Sequence, residues 1–558
     1  MPTGSGNTTD SVHFCKVPIG RVLFPLMIEI AMLPHSRLTA ASQYEGHPWQ
    51  SASRRTRLSV VRCFALMLIV WGWAGMARAE DKTAPAKATG SDSDDWQIIL
   101  LQGQKVGYAH STTKTEARDG QPVTITEVFT RISIKRFGGK LTTDVNMRTE
   151  EDAEGHLLSF YSLQDNPPFS KTETRGSVKD NVATLQTTSS GKTFTKEIQL
   201  PNDVKSPTWF DRSMKDSPLQ VGETRTFRMF EPSMGKVAEV SVKQLESEGT
   251  QLLSGEVLKL NKLEMTLSIL PGITSTLFTN DAGDVKKMSM GLLGMETFSC
   301  SSEEALKEIA AAEIDLGVET LIKVGVIDRA YETRKVTYKL EAADYDPKTV
   351  FRESLYQRIE AGEGGAFQLV VTAVDAGTAG TEPAPEAKYL SSSRFIDLAD
   401  PLIVKLAHEM AGEETDPVKI AIQAEAFVHK HLKLKNFATA MATASEVAAS
   451  QSGDCTEHGI LLAALLRVKK IPSRVVTGLV YAPSLKAFGG HMWTEAYLNG
   501  CWVPLDGTLA KEHGDAVHLK TGDSALEDSE SLPIESFLPL IHVIGRTKLS
   551  VDKAEYAE

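Results

Sequence analysis

Across residues 96–300 apolar and polar side chains alternate, as in Val123-Thr124-Ile125-Thr126, Arg131-Ile132-Ser133-Ile134 and Leu141-Thr142-Thr143-Asp144-Val145. A repeat of two puts alternate side chains on one face of a sheet, so a stretch written this way has few options besides strands. Thr, Val and Ile dominate it, and turn signals at Asp119-Gly120, Gly138-Gly139, Asn166-Pro167-Pro168 and Ser190-Gly191 cut it into segments. The expectation is an N-terminal antiparallel all-β domain over 96–300, built as a large, curved meander. Its interior is either an ordinary core or an apolar ligand groove, and no residue of special chemistry favours the groove.

The pattern then changes. A short helical run over 302–312 leads to a second alternating stretch, Lys335–Glu341 and Phe367–Val374, which suggests a small β-rich linker unit over 301–390. From residue 395 the period becomes helical. Asp400-Pro401 and Asp416-Pro417 each set a capping acid before a proline at the first helical position, and Thr443 with Glu446 forms a capping box. Strand-like runs follow from Ile471, so residues 391–558 read as a C-terminal α+β domain ending in a helix and a terminal strand.

Ahead of the β domain, residues 54–80 read RRTRLSVVRCFALMLIVWGWAGMARAE: arginines, an apolar run from Cys63 to Met76, then Ala77-Arg78-Ala79. That is the build of an export signal cleaved after Ala79, with an uncleaved membrane anchor as the alternative. Residues 1–79 are thus read as an N-terminal extension and signal peptide, and the small polar stretch 80–95 as a flexible linker, with folding starting at Trp96. The expected location is periplasmic or extracellular, with membrane contact only through the N-terminal segment. The chain carries -12 net, and eight Lys/Arg against three Asp/Glu in residues 1–79 leave the rest at 52 against 69. So acidic a body excludes nucleic acid as a partner.

Five cysteines are present, and Cys15 and Cys63 precede the expected cleavage point, leaving Cys300, Cys455 and Cys501. An odd number in an exported chain invites a free, reactive thiol, although Cys300 and Cys501 have the option of pairing. Gly453-Asp454 breaks and caps, so that Cys455 opens a helix whose dipole favours the thiolate and whose N–H groups can hold an oxyanion. Farther on, Asn499-Gly500 signals a two-residue hairpin. Its register sets Leu498 opposite Cys501 and continues to Trp493 opposite Asp506. His491, Trp493, Glu495 and Tyr497 then share a face with Trp502, Pro504 and Asp506, while Cys501 points the other way. A thiol, an imidazole and an acid to orient it are the set that nucleophilic acyl transfer needs. Trp493 and Trp502 either wall a substrate cleft or pack in the core. His429 and His431 fall on different helix faces, and Cys455 with His458 lacks a second ligand pair, so neither a metal site nor a cofactor is expected.

Gly453-Asp454-Cys455, Leu465-Leu466-Arg467, Ile471-Pro472-Ser473-Arg474 with Gly478, His491-Met492-Trp493-Thr494-Glu495 and Trp502-Val503-Pro504-Leu505-Asp506 together resemble the transglutaminase-like superfamily of papain-like thiol enzymes. The resemblance covers about residues 395–510. Met492 and Gly507 depart from the common pattern without touching its chemistry. It implies a papain-like fold, Cys455 as nucleophile, His491 as base and Asp506 as its orienting acid. It further implies protein or peptide amides as substrates, attacked through a thioester, with acyl transfer and hydrolysis both open. Two readings of other classes stand beside it: a catalytically silent scaffold that keeps the fold, and a ligand-binding β protein whose C-terminal domain regulates it.

Overall fold

The computed structural model describes residues 93–557, apart from 137–138, 167–169, 190, 271, 291–293, 310–314, 344, 436–441, 512, 529–538, 541 and 544. The expected signal, and the linker up to residue 92, lie outside the described residues. Among the described residues no helix is long and apolar enough to cross a membrane.

The alternating stretch forms one fifteen-stranded sheet. Its first strand, Ser93–Leu101, starts ahead of Trp96, and strands follow in chain order on one side to Lys192–Gln199. On the other side it pairs with the last strand, Met295–Cys300, Trp96 lying opposite Cys300, and the sheet runs back through the chain to Thr224–Glu231. All these neighbours are antiparallel, and only the two-residue edge strand Val204–Lys205 pairs in parallel. Burial alternates strictly along Gly139–Glu151, as the period of two requires.

The two ends of the sheet meet through side chains: Leu157, Phe160 and Leu185 pack with Val204 and Phe230 in one cluster. The curl expected from the sequence is therefore closed by apolar contact. A helix that the alternation did not foretell, Trp209–Asp216, buries Phe210 and Met214, and the Phe210 ring stacks on Phe227 of the sheet with centroids 5.8 Å apart. The helix thus adds its own apolar side chains to the core.

Thr333–Ala342, Gln357–Ala361 and Phe367–Thr372 make a small sheet whose fourth member is the far-C-terminal strand Thr547–Tyr556. Thr333–Ala342 lies between Phe367–Thr372 and that strand. The small sheet is laid against the C-terminal domain: Tyr338 donates to the Ala516 carbonyl at 2.8 Å, and Thr333 Oγ1 accepts from the Ala516 N–H at 3.2 Å.

The C-terminal domain begins with four helices: α1 (Pro401–Ala411), α2 (Pro417–His431), α3 (Ala444–Ser450) and α4 (Cys455–Val468). The caps are those written in the sequence. Asp400 accepts from the Leu402 N–H at 2.8 Å, Asp416 from that of Val418 at 2.9 Å, and Thr443 with Glu446 closes a capping box. Strands β1 (Ser473–Ala482), β2 (Ala487–Leu498), β3 (Cys501–Leu505) and β4 (His518–Ser524) follow. In the sheet β2 and β4 flank β1, while β3 and the short strand Ile322–Lys323 pair with β2. Residues Ile460 to Leu466 of α4 are all fully buried, so α4 is the central helix of the domain. Such a helix cannot shift without exposing about 1.5–3 kcal/mol of hydrophobic burial per large side chain, which fixes the position of its first turn.

Candidate active site

Cys455 occupies the first position of α4 and is buried. Gly453 precedes it with φ at +154°, and a Cβ there would lie 2.3 Å from Glu457 Cβ, so glycine alone fits the entry. Asp454 accepts from the Thr456 N–H at 2.9 Å, and the buried Glu457 accepts from the N–H groups of Asp454 at 2.9 Å and Ala442 at 3.1 Å. Burial, then the charge of Asp454, pushes the Glu457 carboxyl up to about 8. His458 donates from Nδ1 to the Asp454 carbonyl at 2.6 Å. Glu457 and His458 are therefore parts of the helix entry, which holds the turn that carries the thiol.

The hairpin behaves as its sequence requires. Asn499 and Gly500 take φ of 47° and 83°, and the register runs from Leu498 opposite Cys501 to Thr494 opposite Leu505. There the ladder stops, short of the Trp493–Asp506 pair that simple continuation would give. Asp506 turns out of the strand, and its N–H donates to Glu425 Oε1 of α2 at 2.7 Å. Its two oxygens divide the work. Oδ1 accepts from the N–H groups of Thr508 at 2.8 Å and Leu509 at 3.3 Å, which is turn capping, while Oδ2 lies 2.8 Å from Nε2 of His491. One carboxylate thus both caps the turn and contacts the histidine.

With Nε2 of His491 engaged by Asp506, Nδ1 is the other ring nitrogen. Gly459 of α4, one turn beyond Cys455, meets Met492 and Trp493 of β2, and Thr494 donates to its carbonyl at 2.9 Å. The first turns of α4 and the histidine-bearing part of β2 are thus packed together.

A second histidine, which nothing in the local sequence had singled out, joins this group. His518, the first residue of β4, reaches the same Oδ2 of Asp506 with Nε2 at 3.1 Å and Oδ1 of Asp515 with Nδ1 at 2.8 Å. Burial alone would lower its pKa, but the charge of Asp515 and the hydrogen bonds to Asp506 and Asp515 push it up to about 10. Burial would likewise raise that of Asp506, yet the charge of His491 and the hydrogen bonds from both histidines hold it well below the usual carboxylate range. Glu425 is pushed up to about 8, chiefly by burial.

Trp493 stands at this group, edge-on to His518 with ring centroids 5.1 Å apart and 6.2 Å from His491. With Asp506, Asp515, His518 and Glu425 it lines a small cavity of about 40 Å3. Trp502 lies elsewhere. It packs between Tyr389 and Tyr497 under the Arg474 guanidinium, 4.1 Å from its centroid, and borders a wider groove of about 680 Å3 with Arg352, Glu382 and Asp523.

The remaining candidates are accounted for by their contacts. Cys300, Cys455 and Cys501 are all free thiols, so Cys300 and Cys501 do not pair. Cys501 Sγ points to the Thr378 and Leu498 carbonyls, each at 3.5 Å. His429 lies 3.0 Å from the Thr508 carbonyl and His431 3.0 Å from that of Ala448. His491, Asp506 and His518 bring ligand-type atoms within 4.8 Å of one another. Their short contacts, 2.8 and 3.1 Å to one oxygen of Asp506, have the geometry of ring N–H groups donating to a carboxylate.

Residues 404–507 match the family model of the transglutaminase-like superfamily. The C-terminal domain is transglutaminase-like. The matched span of this transglutaminase-like domain takes in Cys455, His491 and Asp506 and ends before His518. No curated protein matches the chain. Among solved structures, a Cytophaga hutchinsonii protein provisionally assigned as a cysteine protease shares 15% identity, covering 40% of this chain and 86% of its own, with a TM-score of 0.26. A β-barrel-like protein of unknown function, DUF1849, from Brucella abortus shares 12%, covering 38% of this chain and 96% of its own, with a TM-score of 0.28.

Proposed function

We propose that the protein is an exported thiol enzyme that carries out acyl transfer or amide hydrolysis on protein or peptide substrates through Cys455, His491 and Asp506. The observation that carries this reading is the buried 2.8 Å contact between His491 Nε2 and Asp506 Oδ2, beside the helix that Cys455 opens. Asp506 fixes the tautomer, so that His491 Nδ1 takes the thiol proton. The thiolate then attacks the acyl carbon, and N–H groups at the α4 N-terminus are the natural donors to the oxyanion. Collapse expels the amine, which takes the proton back from His491, and leaves a thioester on Cys455. Water or a second amine, deprotonated by His491, releases the acyl group and restores the thiol.

No metal or organic cofactor has a part in these steps. Export rests on the sequence of residues 54–79, and mapping the mature N-terminus after secretion tests it: a start at Glu80 is expected, and an intact leader in the soluble product refutes it. The activity is tested by following both amine incorporation into a glutamine-containing protein and peptide release. Wild type should exceed Cys455→Ala in at least one assay, and equal rates in both across a range of substrates refute the mechanism.

A further inference from the structure

His491 and His518 share one oxygen of Asp506, and His518 has a second carboxylate behind it. The chain reads Asp515 Oδ1, 2.8 Å, His518 Nδ1; then His518 Nε2, 3.1 Å, Asp506 Oδ2, 2.8 Å, His491 Nε2. Carboxylate oxygens only accept, so an imidazole bonded to one through each nitrogen must carry a proton on both. His518 is therefore a cation by hydrogen-bond counting, independently of its raised pKa. We propose that His518, backed by Asp515, is a positioning residue that keeps a positive charge on the oxygen of Asp506 facing His491 and so sets the pH window in which His491 and Cys455 exchange a proton. This rests on the thiol-enzyme reading and deepens it.

A carboxylate alone raises the proton affinity of its histidine. A cation on the same oxygen opposes this in two ways. It withdraws charge from the bond to His491, and it repels the imidazolium, the two ring centroids being 5.8 Å apart. Both effects favour return of the proton from His491, which a base that later acts as acid must achieve.

Asp506 and Asp515 are the groups that keep this charge on His518, and other titratable groups face it. Besides Asp506 and Asp515, Glu425 faces it from α2, and with its pKa pushed up to about 8 that carboxyl is largely protonated at neutral pH. Lys511 and His513 from the loop before β4 border the same cavity, as does the Tyr356 phenol of the small sheet. Tyr331 senses both Asp506 and Asp515, and its phenol is pushed above the ordinary range by burial and then by those charges.

The experiment is the pH profile of Cys455 alkylation by iodoacetamide in the full chain, read by peptide mass spectrometry at that site. Wild type should show a thiolate limb well below that of an ordinary cysteine and a second, upper limb where His491 loses its proton. His518→Gln should move the upper limb alkaline by about one pH unit, a roughly tenfold change in proton affinity. Asp515→Asn should move it the same way, and His518→Arg, which restores a cation, should bring it back toward wild type. A purely structural role would lower the rate at every pH and leave the limbs in place. An unmoved upper limb in both His518→Gln and Asp515→Asn, with a native near-ultraviolet spectrum in either, overturns the inference alone. A wild-type profile with a single limb near pH 8.5 overturns it together with the thiol-enzyme reading.

Discussion

Glu495→Gln tests whether the sheet beneath the site is held by a buried ionic cluster. Glu495 is wholly buried, and its carboxylate accepts from Lys520 at 2.8 and 3.0 Å, from Arg474 at 2.6 Å and from the Tyr356 hydroxyl at 2.5 Å. Lys520 is itself only 2% exposed, and Asp523 is its one other anionic partner among the described residues. Two routes give the cost of removing the charge. Burial opposes ionisation, yet Lys520 and Arg474 hold the carboxyl at about 2 against the usual 4.5, which corresponds to about 3 kcal/mol. Deleting one partner of a buried pair independently costs about 3–5 kcal/mol, because the other charge is left in the interior. Urea unfolding followed by circular dichroism at pH 7 should therefore show a loss of about 3 kcal/mol. Adding Lys520→Met to Glu495→Gln should recover part of it, since an orphaned cation is removed. A carboxyl lowered on folding contributes stability above its unfolded pKa and loses it as pH falls, so the gap between wild type and variant should narrow from pH 4.5 toward pH 2. A Glu495→Gln cost below about 1 kcal/mol at pH 7 refutes the reasoning.

Gly478→Ala should destabilise by about 3 kcal/mol or more in the same assay, because its Cβ would sit 2.0 Å from the Leu519 carbonyl oxygen and 2.8 Å from the Trp493 ring; a normal midpoint contradicts this. Thr443→Ala, which opens the capping box of α3, should cost about 1 kcal/mol without altering Cys455 alkylation. Glu425 is raised to about 8, so the native state holds its proton more tightly than the unfolded one and stability drains as pH rises from 4.5 to 8. Glu425→Gln should therefore gain on wild type in unfolding midpoint between pH 5 and pH 9, and parallel curves exclude it.

What could be read ahead of the structure was what local chemistry writes down. The Asn499-Gly500 turn has one favoured geometry, and from it follows the register from Leu498 opposite Cys501 to Thr494 opposite Leu505; the last step, from Asp506 to His491, is made by a side chain that has left the strand. Aspartate before proline marked the starts of α1 and α2 for the same local reason. His518 was invisible because β4 pairs with β1 and not with its chain neighbour β3, and no turn residue encodes that choice. Helix Trp209–Asp216 is too short to show a periodic stripe. The closure of Ser93–Leu101 on Met295–Cys300, like that of Thr333–Ala342 on Thr547–Tyr556, joins segments far apart in sequence, where alternation says that a strand exists but not whom it meets.

The last of these pairings has a bearing on the order of synthesis. Residues Cys455, His491 and Asp506 all leave the ribosome before Thr547–Tyr556 does, and until then Thr333–Ala342 is an open edge. That edge strand buttresses Ala516, two residues before His518, through Tyr338 and Thr333. A chain cut short after residue 546 would contain Cys455, His491 and His518 and still lack the strand that closes the sheet bracing Ala516. Synthesis through Thr547–Tyr556 is in this sense what closes that edge.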